Sequence, residues 1–292
     1  MKILVIGVGG FTGSYLFNAI KEEHEVIGTS THNKDFMNLD LSQFDKAYKI
    51  LEELNPDIIC LPAGITNPDF IENHPIETGK VNVLGTKNIS DFCKENKCKL
   101  IFFSSDAVFD GKNGPYSEND NPNPISEYGR QKLEAENFIK KLDNFVIIRT
   151  SSIYGWDKRN LNFVSRIINE LKNNNEFLAP IDQHYTPTYV VDIANAVDKF
   201  IQKNLNGIYN FTGPDYLSRY DIAMNVCNIF GLKKGLVIPV KSDDLKQTAK
   251  RLKQGGLINK KAVKELGIRF KGIKEGLKDM SSDRNYSGHA NT

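Results

Sequence analysis

Apolar positions along the chain fall into short runs separated by longer segments of helical period. The first run, residues 2–6, stops at a glycine-rich turn, and Tyr15, Leu16, Ala19 and Ile20 then share one helix face. Residues 26–29 read as a second strand, 43–54 as a helix and 57–61 as a third strand leaving through Pro62-Ala63-Gly64. One long helix is expected over about 77–95, then a strand over 99–104. A loop rich in Gly, Pro and Asn and a charged helical segment near Tyr128 follow, then a fifth strand over 145–149. Alternation of this kind predicts an α/β fold, a doubly wound parallel sheet with its ligand at the carboxyl ends of the strands. Beyond Thr150 the alternation weakens. Helices are expected over 162–173 and 190–202, a loop over 183–187 and one more sheet strand over 207–212. A further helix should start at Ser218 as N-cap, with Asp221 at N3, and run to about Phe230.

The turn after the first strand reads Gly7-Val8-Gly9-Gly10-Phe11-Thr12-Gly13. Strand, glycine turn, helix is the setting in which such glycines carry chemistry. Gly7 permits the tight turn, Gly10 lets the backbone approach a pyrophosphate, and Gly13 lets helix and strand pack closely. The helix N-terminus then offers free N–H groups to the phosphates. This makes the fold Rossmann-type. The second strand ends in Gly28-Thr29-Ser30-Thr31-His32-Asn33-Lys34, with no acidic residue before Asp35. A site for the ribose 2′-OH of NAD usually places a carboxylate here. Small hydroxyls beside Lys34 suit a 2′-phosphate better, so NADP(H) is favoured over NAD(H), although a merely solvated loop would leave the choice undecided. The expected organisation is an NAD(P)-binding Rossmann domain over 1–155, its sheet completed by 187–213. A smaller substrate-binding region over 156–280 follows, then a polar tail over 281–292 expected to be disordered.

The 38 basic and 36 acidic side chains are well mixed and give a net charge of +2, which excludes a nucleic-acid footprint. No apolar run approaches the roughly 20 residues that span a bilayer, and no signal peptide is visible. A soluble, cytoplasmic protein is expected, with a homodimer left open. Cys60, Cys93, Cys98 and Cys227 form no C-x-x-C pair and read as buried thiols of a reducing compartment. The five histidines have no ligand spacing, so no metal is expected.

Tyr128 and Lys132, four residues apart, share a helix face. A phenol of ordinary pKa near roughly 10 is a poor acid–base group at neutral pH, and a neighbouring ammonium should lower it toward the working range. Ser105, ending an apolar strand, could hydrogen-bond the same substrate oxygen. The ordinary reading of such a Tyr–Lys pair is a solvated helix face; the glycine loop gives it context. Asn82, polar among apolar neighbours, is either a satisfied buried amide or an organiser of water near the lysine.

Gly7-x-x-Gly10-x-x-Gly13 with Ser105, Tyr128 and Lys132 resembles the extended short-chain dehydrogenase/reductase family, over nearly the whole chain to about residue 280. The segments Val81-Asn82-Val83-Leu84-Gly85-Thr86, Ser104-Ser105-Asp106-Ala107-Val108-Phe109-Asp110-Gly111 and Pro115-Tyr116-Ser117-Glu118 are similar to its dTDP-4-dehydrorhamnose reductase group. So are Arg149-Thr150-Ser151, Asn162-Phe163, Asp182-Gln183 and Pro187-Thr188. The resemblance implies hydride transfer from NAD(P)H to the C4 ketone of a nucleotide-linked deoxysugar. Tyr128 would donate the proton, Ser105 would hold the carbonyl oxygen, and Lys132 would bind the nicotinamide ribose and lower the Tyr128 pKa. Implied cofactor positions are Gly7, Gly10, Phe11, Thr12, Gly13, Thr29, Ser30, Asp40, Leu41, Pro62, Ala63, Gly64, Asn82, Ser104, Tyr128 and Lys132. Implied substrate positions are Ser105, Asp106, Val108, Phe109, Tyr128 and Asn162. Two departures leave the substrate open: Ala107 stands where the group usually has Tyr, and Ser152 where it has Trp. Trp156 is a candidate to compensate. Tyr15 stands where some bacterial members place a glutamate associated with magnesium, so that metal is not carried over. A nucleotide-sugar epimerase or dehydratase is the first alternative, though Asp106-Ala107 supplies only one of the two acids a dehydratase wants. A regulatory subunit like the beta subunit of methionine adenosyltransferase is the second.

Overall fold

The computed structural model describes residues 1–283. Strand β1 (Lys2–Ile6) leads into helix α1 (Phe11–Ile20), and β2 (Glu25–Thr29) follows. Helix α2 (Phe44–Leu54) ends on Asn55 in the left-handed conformation, φ 42°, which closes its last turn. After β3 (Ile58–Leu61), Asn67 caps α3 (Pro68–Asn73) by accepting from the Asp69 and Phe70 N–H groups, with Pro68 at the first helical position. The single helix expected over 77–95 is three pieces: α4 (Pro75–Gly79), a π-helical stretch over Lys80–Gly85, and α5 (Thr86–Asn96). Asn82 sits inside the wide turn and reaches the Ile65 backbone from it, a cross-link that a regular helical pattern in sequence does not reveal. Strand β4 (Lys99–Ser105) runs into a 3₁₀ turn over Asp106–Val108; Ser126 then caps α6 (Glu127–Ile139), and β5 (Phe145–Thr150) follows.

The second half begins with β6 (Ile153–Tyr154), α7 (Phe163–Lys172), β7 (Phe177–Pro180), β8 (His184–Tyr185) and β9 (Thr188–Tyr189). Helix α8 (Val190–Lys203), β10 (Gly207–Phe211), β11 (Leu217–Ser218) and α9 (Arg219–Phe230) come next. Strand β12 (Val237–Val240) and helices α10 (Lys260–Leu266) and α11 (Ile273–Ser282) end the described chain. The expected capping box is present: Ser218 Oγ accepts from the Asp221 N–H, and the Asp221 side chain accepts from the Ser218 N–H. The expected loop at 183–187 instead contains β8, which pairs antiparallel with β11. Ser281 and Ser282 belong to the last turn of α11, so the polar tail starts later than expected. The remainder of that tail, 284–292, lies outside the described residues.

All six strands of the main sheet are parallel, in the order β2-β1-β3-β4-β5-β10. The period of two along each strand sends alternate side chains to opposite faces. Ile3, Val5, Ile101, Phe103 and Ile148 meet Leu16 and Ile20 of α1 and Val197 and Phe200 of α8. Leu4, Ile6, Leu100, Phe102 and Ile147 meet α2, α5 and α6 through Leu51, Phe92 and Ala135. A separate apolar cluster holds α7, α9 and α11 together through Ile167, Val226 and Leu277. Late chain also closes the first core, because Ala262, Leu266 and Phe270 pack into it. No helix among the described residues is long and apolar enough to cross a membrane. All four cysteines are buried and free.

Candidate active site

Strand order reverses between β1 and β3, so the turns leaving these two strands sit side by side. That is the place where a doubly wound sheet opens a crevice at its carboxyl edge. Gly7 there has φ 101°, and a Cβ on it would lie 2.8 Å from the Ala63 Cβ. A Cβ on Gly13 would overlap the Gly7 carbonyl oxygen. Both glycines are therefore required by the protein itself. Gly10 differs: a Cβ there would meet only the Gly7 carbonyl oxygen, at 3.2 Å, so the space above it is open. It precedes the first amides of α1, which have no side-chain cap. Phe11 and Thr12 open that helix, and Pro62, Ala63 and Gly64 form the facing turn. A cradle that small side chains leave open, floored by helix N–H groups, fits a dinucleotide pyrophosphate.

Several cofactor positions expected from sequence are engaged elsewhere. Thr29 is fully buried and its hydroxyl has no partner. Ser30 is also buried, and its Oγ accepts from the His32 and Asn33 N–H groups at 3.3 and 3.0 Å. The exposed groups on this edge are Thr31 to Asp35. The Asp40 carboxylate caps its own turn: Oδ1 accepts from the Ser42 N–H and hydroxyl at 2.8 and 2.7 Å, which holds the acid below the usual carboxylate range. Leu41 is buried, pressed against Gly85. The Ser104 hydroxyl donates to Glu136 Oε1 at 2.7 Å, inside the sheet–helix layer and away from the crevice. Glu136 is in turn held by Arg149 in a two-pronged pair at 2.9 and 2.7 Å. Asn82 is the satisfied amide: Oδ1 accepts from the Ile65 N–H at 2.8 Å, while Nδ2 donates to the Ile65 carbonyl at 3.0 Å and to Gln131 Oε1 at 2.9 Å. Gln131, which sequence reading passed over, ties this amide to Thr78 and to the Pro75 carbonyl.

The end of β4, the turn after β3 and helix α6 bring Ser105, Tyr128 and Lys132 together. Ser105 lies next to the half-buried Tyr128 phenol. Its Oγ also lies 3.2 Å from Asp106 Oδ1 and accepts from the Ala107 N–H at 3.2 Å. Lys132 Nζ donates to the Phe103 carbonyl at 2.8 Å, lies 4.7 Å above the Phe102 ring, and would be 3.8 Å from a Cβ on Gly64. The expected lowering of the phenol pKa does not occur. Burial pushes Tyr128 up to about 12, and Ser105 opposes the shift. The lysine is itself pulled down to about 8 by burial, against the attraction of Glu136. Desolvation outweighs the ion–phenol effect because the ammonium is turned to a strand carbonyl.

On the substrate side, Val108 and Phe109 are fully buried in a small cluster with Tyr116 and Leu257, with Phe109 stacked on Tyr116, so neither side chain faces a ligand. Asn162 caps α7: Oδ1 accepts from the Ser165 N–H at 3.0 Å and Nδ2 donates to the Gly155 carbonyl at 2.9 Å, which uses both ends of the amide. Asp106 is buried behind Ser105 and touches only protein groups described below. A cavity of about 630 Å³ is walled by Ser152, Phe163, Arg166, Gln183, Arg219 and Arg251, among others, and Ser152 follows Ser151, which bonds Asp106. Arg219 is its organising cation. Its guanidinium is flanked by the Phe163 and Tyr185 rings at 4.3 and 4.4 Å, and Nη1 donates to Ser152 Oγ at 3.2 Å. Trp156 does not replace the missing tryptophan. It packs edge-on against Phe230, and its Nε1 donates to the Met280 carbonyl at 2.7 Å. The Tyr15 hydroxyl donates to the Trp156 carbonyl at 3.1 Å.

Comparison with known proteins adds to this geometry. The family profile described as RmlD substrate binding domain matches residues 1–285. The dTDP-4-dehydrorhamnose reductase of Aggregatibacter actinomycetemcomitans is 30% identical over 235 residues, 77% of this chain and 78% of that one. Methionine adenosyltransferase 2 subunit beta of Bos taurus is 27% identical over 82% of this chain and 75% of its own. The crystal structure of dTDP-4-dehydrorhamnose reductase from Bacillus anthracis in complex with NADP superimposes with a TM-score of 0.88 at 26% identity, covering 96% of this chain and 98% of that one.

Proposed function

We propose a reaction from one premise: the chain belongs to the RmlD substrate binding domain family. It is a sugar-nucleotide reductase of the extended short-chain dehydrogenase/reductase type. The finer reading is reduction of the C4 ketone of a nucleotide-linked 6-deoxysugar, with NADP(H) preferred. The observation that carries it is the meeting of Ser105, Tyr128 and Lys132 beside an open glycine cradle at the carboxyl edge of the sheet.

A bound nicotinamide dinucleotide supplies the hydride that reduces the carbonyl carbon. Gly10 and the first amides of α1 would hold its pyrophosphate, and Lys132, beside Gly64, its ribose. The exposed Lys34 would meet a 2′-phosphate without the buried Thr29 and Ser30 hydroxyls that sequence reading set beside it. As the ketone becomes an alkoxide, Tyr128 delivers its phenolic proton to that oxygen. A phenol raised to about 12 stays protonated across the neutral range, and an alkoxide is a stronger base than its phenolate, so the transfer runs downhill. Ser105 donates a hydrogen bond to the same oxygen and lowers the energy of the charge developing there. The cavity reached through Ser152 would receive the nucleotide, with Arg166, Arg219 and Arg251 suited to a diphosphate.

The test is NADPH oxidation followed by absorbance with dTDP-4-dehydrorhamnose and a panel of other nucleotide-linked ketosugars. Substrate-dependent oxidation that disappears in Tyr128→Phe supports the reading. NADPH binding without turnover on any of them, together with co-purification of a methionine adenosyltransferase, favours the regulatory role that the bovine relative suggests.

A further inference from the structure

The Asp106 carboxyl is 5% exposed, and its two oxygens are not equivalent. Oδ2 accepts two hydrogen bonds, from Ser151 Oγ at 2.6 Å and from the Gly256 N–H at 3.0 Å. Oδ1 faces Ser105 Oγ alone, at 3.2 Å. Oδ2 has its donors without Ser105, so a neutral acid with its proton on Oδ1 would satisfy every contact by donating to the serine, which can itself accept.

Ser105 has one proton and two lone pairs. Beside an ionised Asp106 the serine proton is committed to Oδ1, and none remains for a substrate oxygen. With a proton on Oδ1, Ser105 accepts from Asp106 and from the Ala107 N–H. Both lone pairs are then used, and the hydroxyl must donate outward, toward Tyr128 and the substrate.

We propose that Asp106 works as a neutral carboxylic acid that donates to Ser105 and so turns the serine hydroxyl onto the substrate carbonyl oxygen. Asp106 is then a positioning residue, not the substrate ligand expected from sequence. This role rests on the reductase reading. The surroundings agree with it. Burial raises the acid above the ordinary carboxylate range, although Ser151, Gly256, Ser105 and the charge of Arg219 on α9 all pull the other way. The Arg219 charge acts across space, its hydrogen bond going to Ser152. Tyr185 on β8 and Tyr128 on α6 are the other titratable neighbours, and burial raises both, so they are uncharged at neutral pH.

Asp106→Asn decides the matter, because an amide keeps one oxygen for Ser151 and Gly256 and offers a fixed N–H to Ser105. Asp106→Ala offers neither. If Asp106 acts as the neutral acid, Asp106→Asn keeps kcat within about tenfold of the parent. It also loses the fall in kcat that the parent shows as pH rises through the Asp106 pKa. Asp106→Ala should lose roughly 10²-fold in kcat, as for loss of one donor to a developing oxyanion, with NADPH affinity retained in both variants by calorimetry. An Asp106→Asn enzyme as impaired as Asp106→Ala, with parental NADPH affinity and melting temperature, overturns the proposal. If the parent reduces no nucleotide-sugar, the reductase reading fails, and thermal unfolding still decides the protonation state. An acid that is neutral at working pH has a folded pKa above 7, so the parent should still be losing stability relative to Asp106→Asn as pH rises past 7; a loss already complete below 7 overturns the proposal. A parent that gains on the variant with rising pH carries the anion, which overturns the proposal as well.

Discussion

Lys132 and Phe103 are joined by a 2.8 Å hydrogen bond from the ammonium to a strand carbonyl two residues before Ser105. The bond anchors the lysine beneath the crevice, while burial lowers its pKa to about 8. Below that value the side chain is charged and attracts an anionic dinucleotide; above it the attraction is lost. NADPH affinity measured by calorimetry should therefore weaken as pH rises through about 8. Lys132→Met should bind weakly at every pH, with rate and affinity lost together.

Tyr128→Phe keeps ring, volume and helix but deletes the proton donor. Turnover should fall by roughly 10²–10⁴-fold, the usual contribution of a general acid, with NADPH affinity nearly unchanged. Because burial holds the phenol near 12, no loss of activity below pH 10 should trace to Tyr128. An alkaline limb near 8 that vanishes in Lys132→Met would assign that titration to the lysine.

Two glycine substitutions should separate binding from folding. Gly10→Val places a branched side chain in open space above the cradle, so NADPH affinity should collapse while the melting temperature holds. Gly13→Ala drives a methyl into the Gly7 carbonyl, so the melting temperature itself should drop.

NADPH should bind more tightly than NADH. Lys34 is exposed, so Lys34→Asp leaves the core untouched and should narrow the preference by up to about fivefold, the scale of an exposed ion pair. Equal affinities for the two dinucleotides in the parent protein would remove Lys34 from the site.

Glu136 and Arg149 are both buried, at 0% and 1% side-chain exposure. Glu136→Gln leaves a buried guanidinium unpaired and should cost about 3–5 kcal/mol in chemical denaturation. Burial opposes ionisation of Glu136, but the Arg149 hydrogen bonds and charge outweigh it and hold the acid below its ordinary range. The stability it contributes is present above the ordinary carboxylate pKa and drains away as pH falls through the folded value. The parent should thus lose stability in acid more steeply than Glu136→Gln.

The sheet was legible because buried parallel strands appear as short apolar runs and their crossovers as helical periods. Gly7, Gly10 and Gly13 were legible because steric demands act within a few residues. Ser105, Tyr128 and Lys132 could be brought together because strand ends and a helix face have known directions. The phenol pKa was misjudged because a four-residue spacing carries no information about burial or about which carbonyl the ammonium selects. Asn162 was a legible N-cap, an Asn directly before a periodic segment, and the family likeness drew attention away from that local role. Asp106 and Gly256 meet across 150 residues of chain, and Arg219 is stacked between Phe163 and Tyr185; no local pattern announces such contacts. The π-helical turn at Lys80–Gly85 was hidden for the same reason, since its Asn82 answers to Ile65 on another segment.

The Gly256 N–H that supports Asp106 has a bearing on how the protein is made. A chain leaving the ribosome presents β1 to β5 long before β10, α10 and Phe270 exist. Until those arrive, the sheet lacks an edge strand and part of one core face is uncovered. The nascent first half therefore lacks part of its core, and the serine that would meet substrate is unsupported until Gly256, 150 residues after Asp106, has joined the fold.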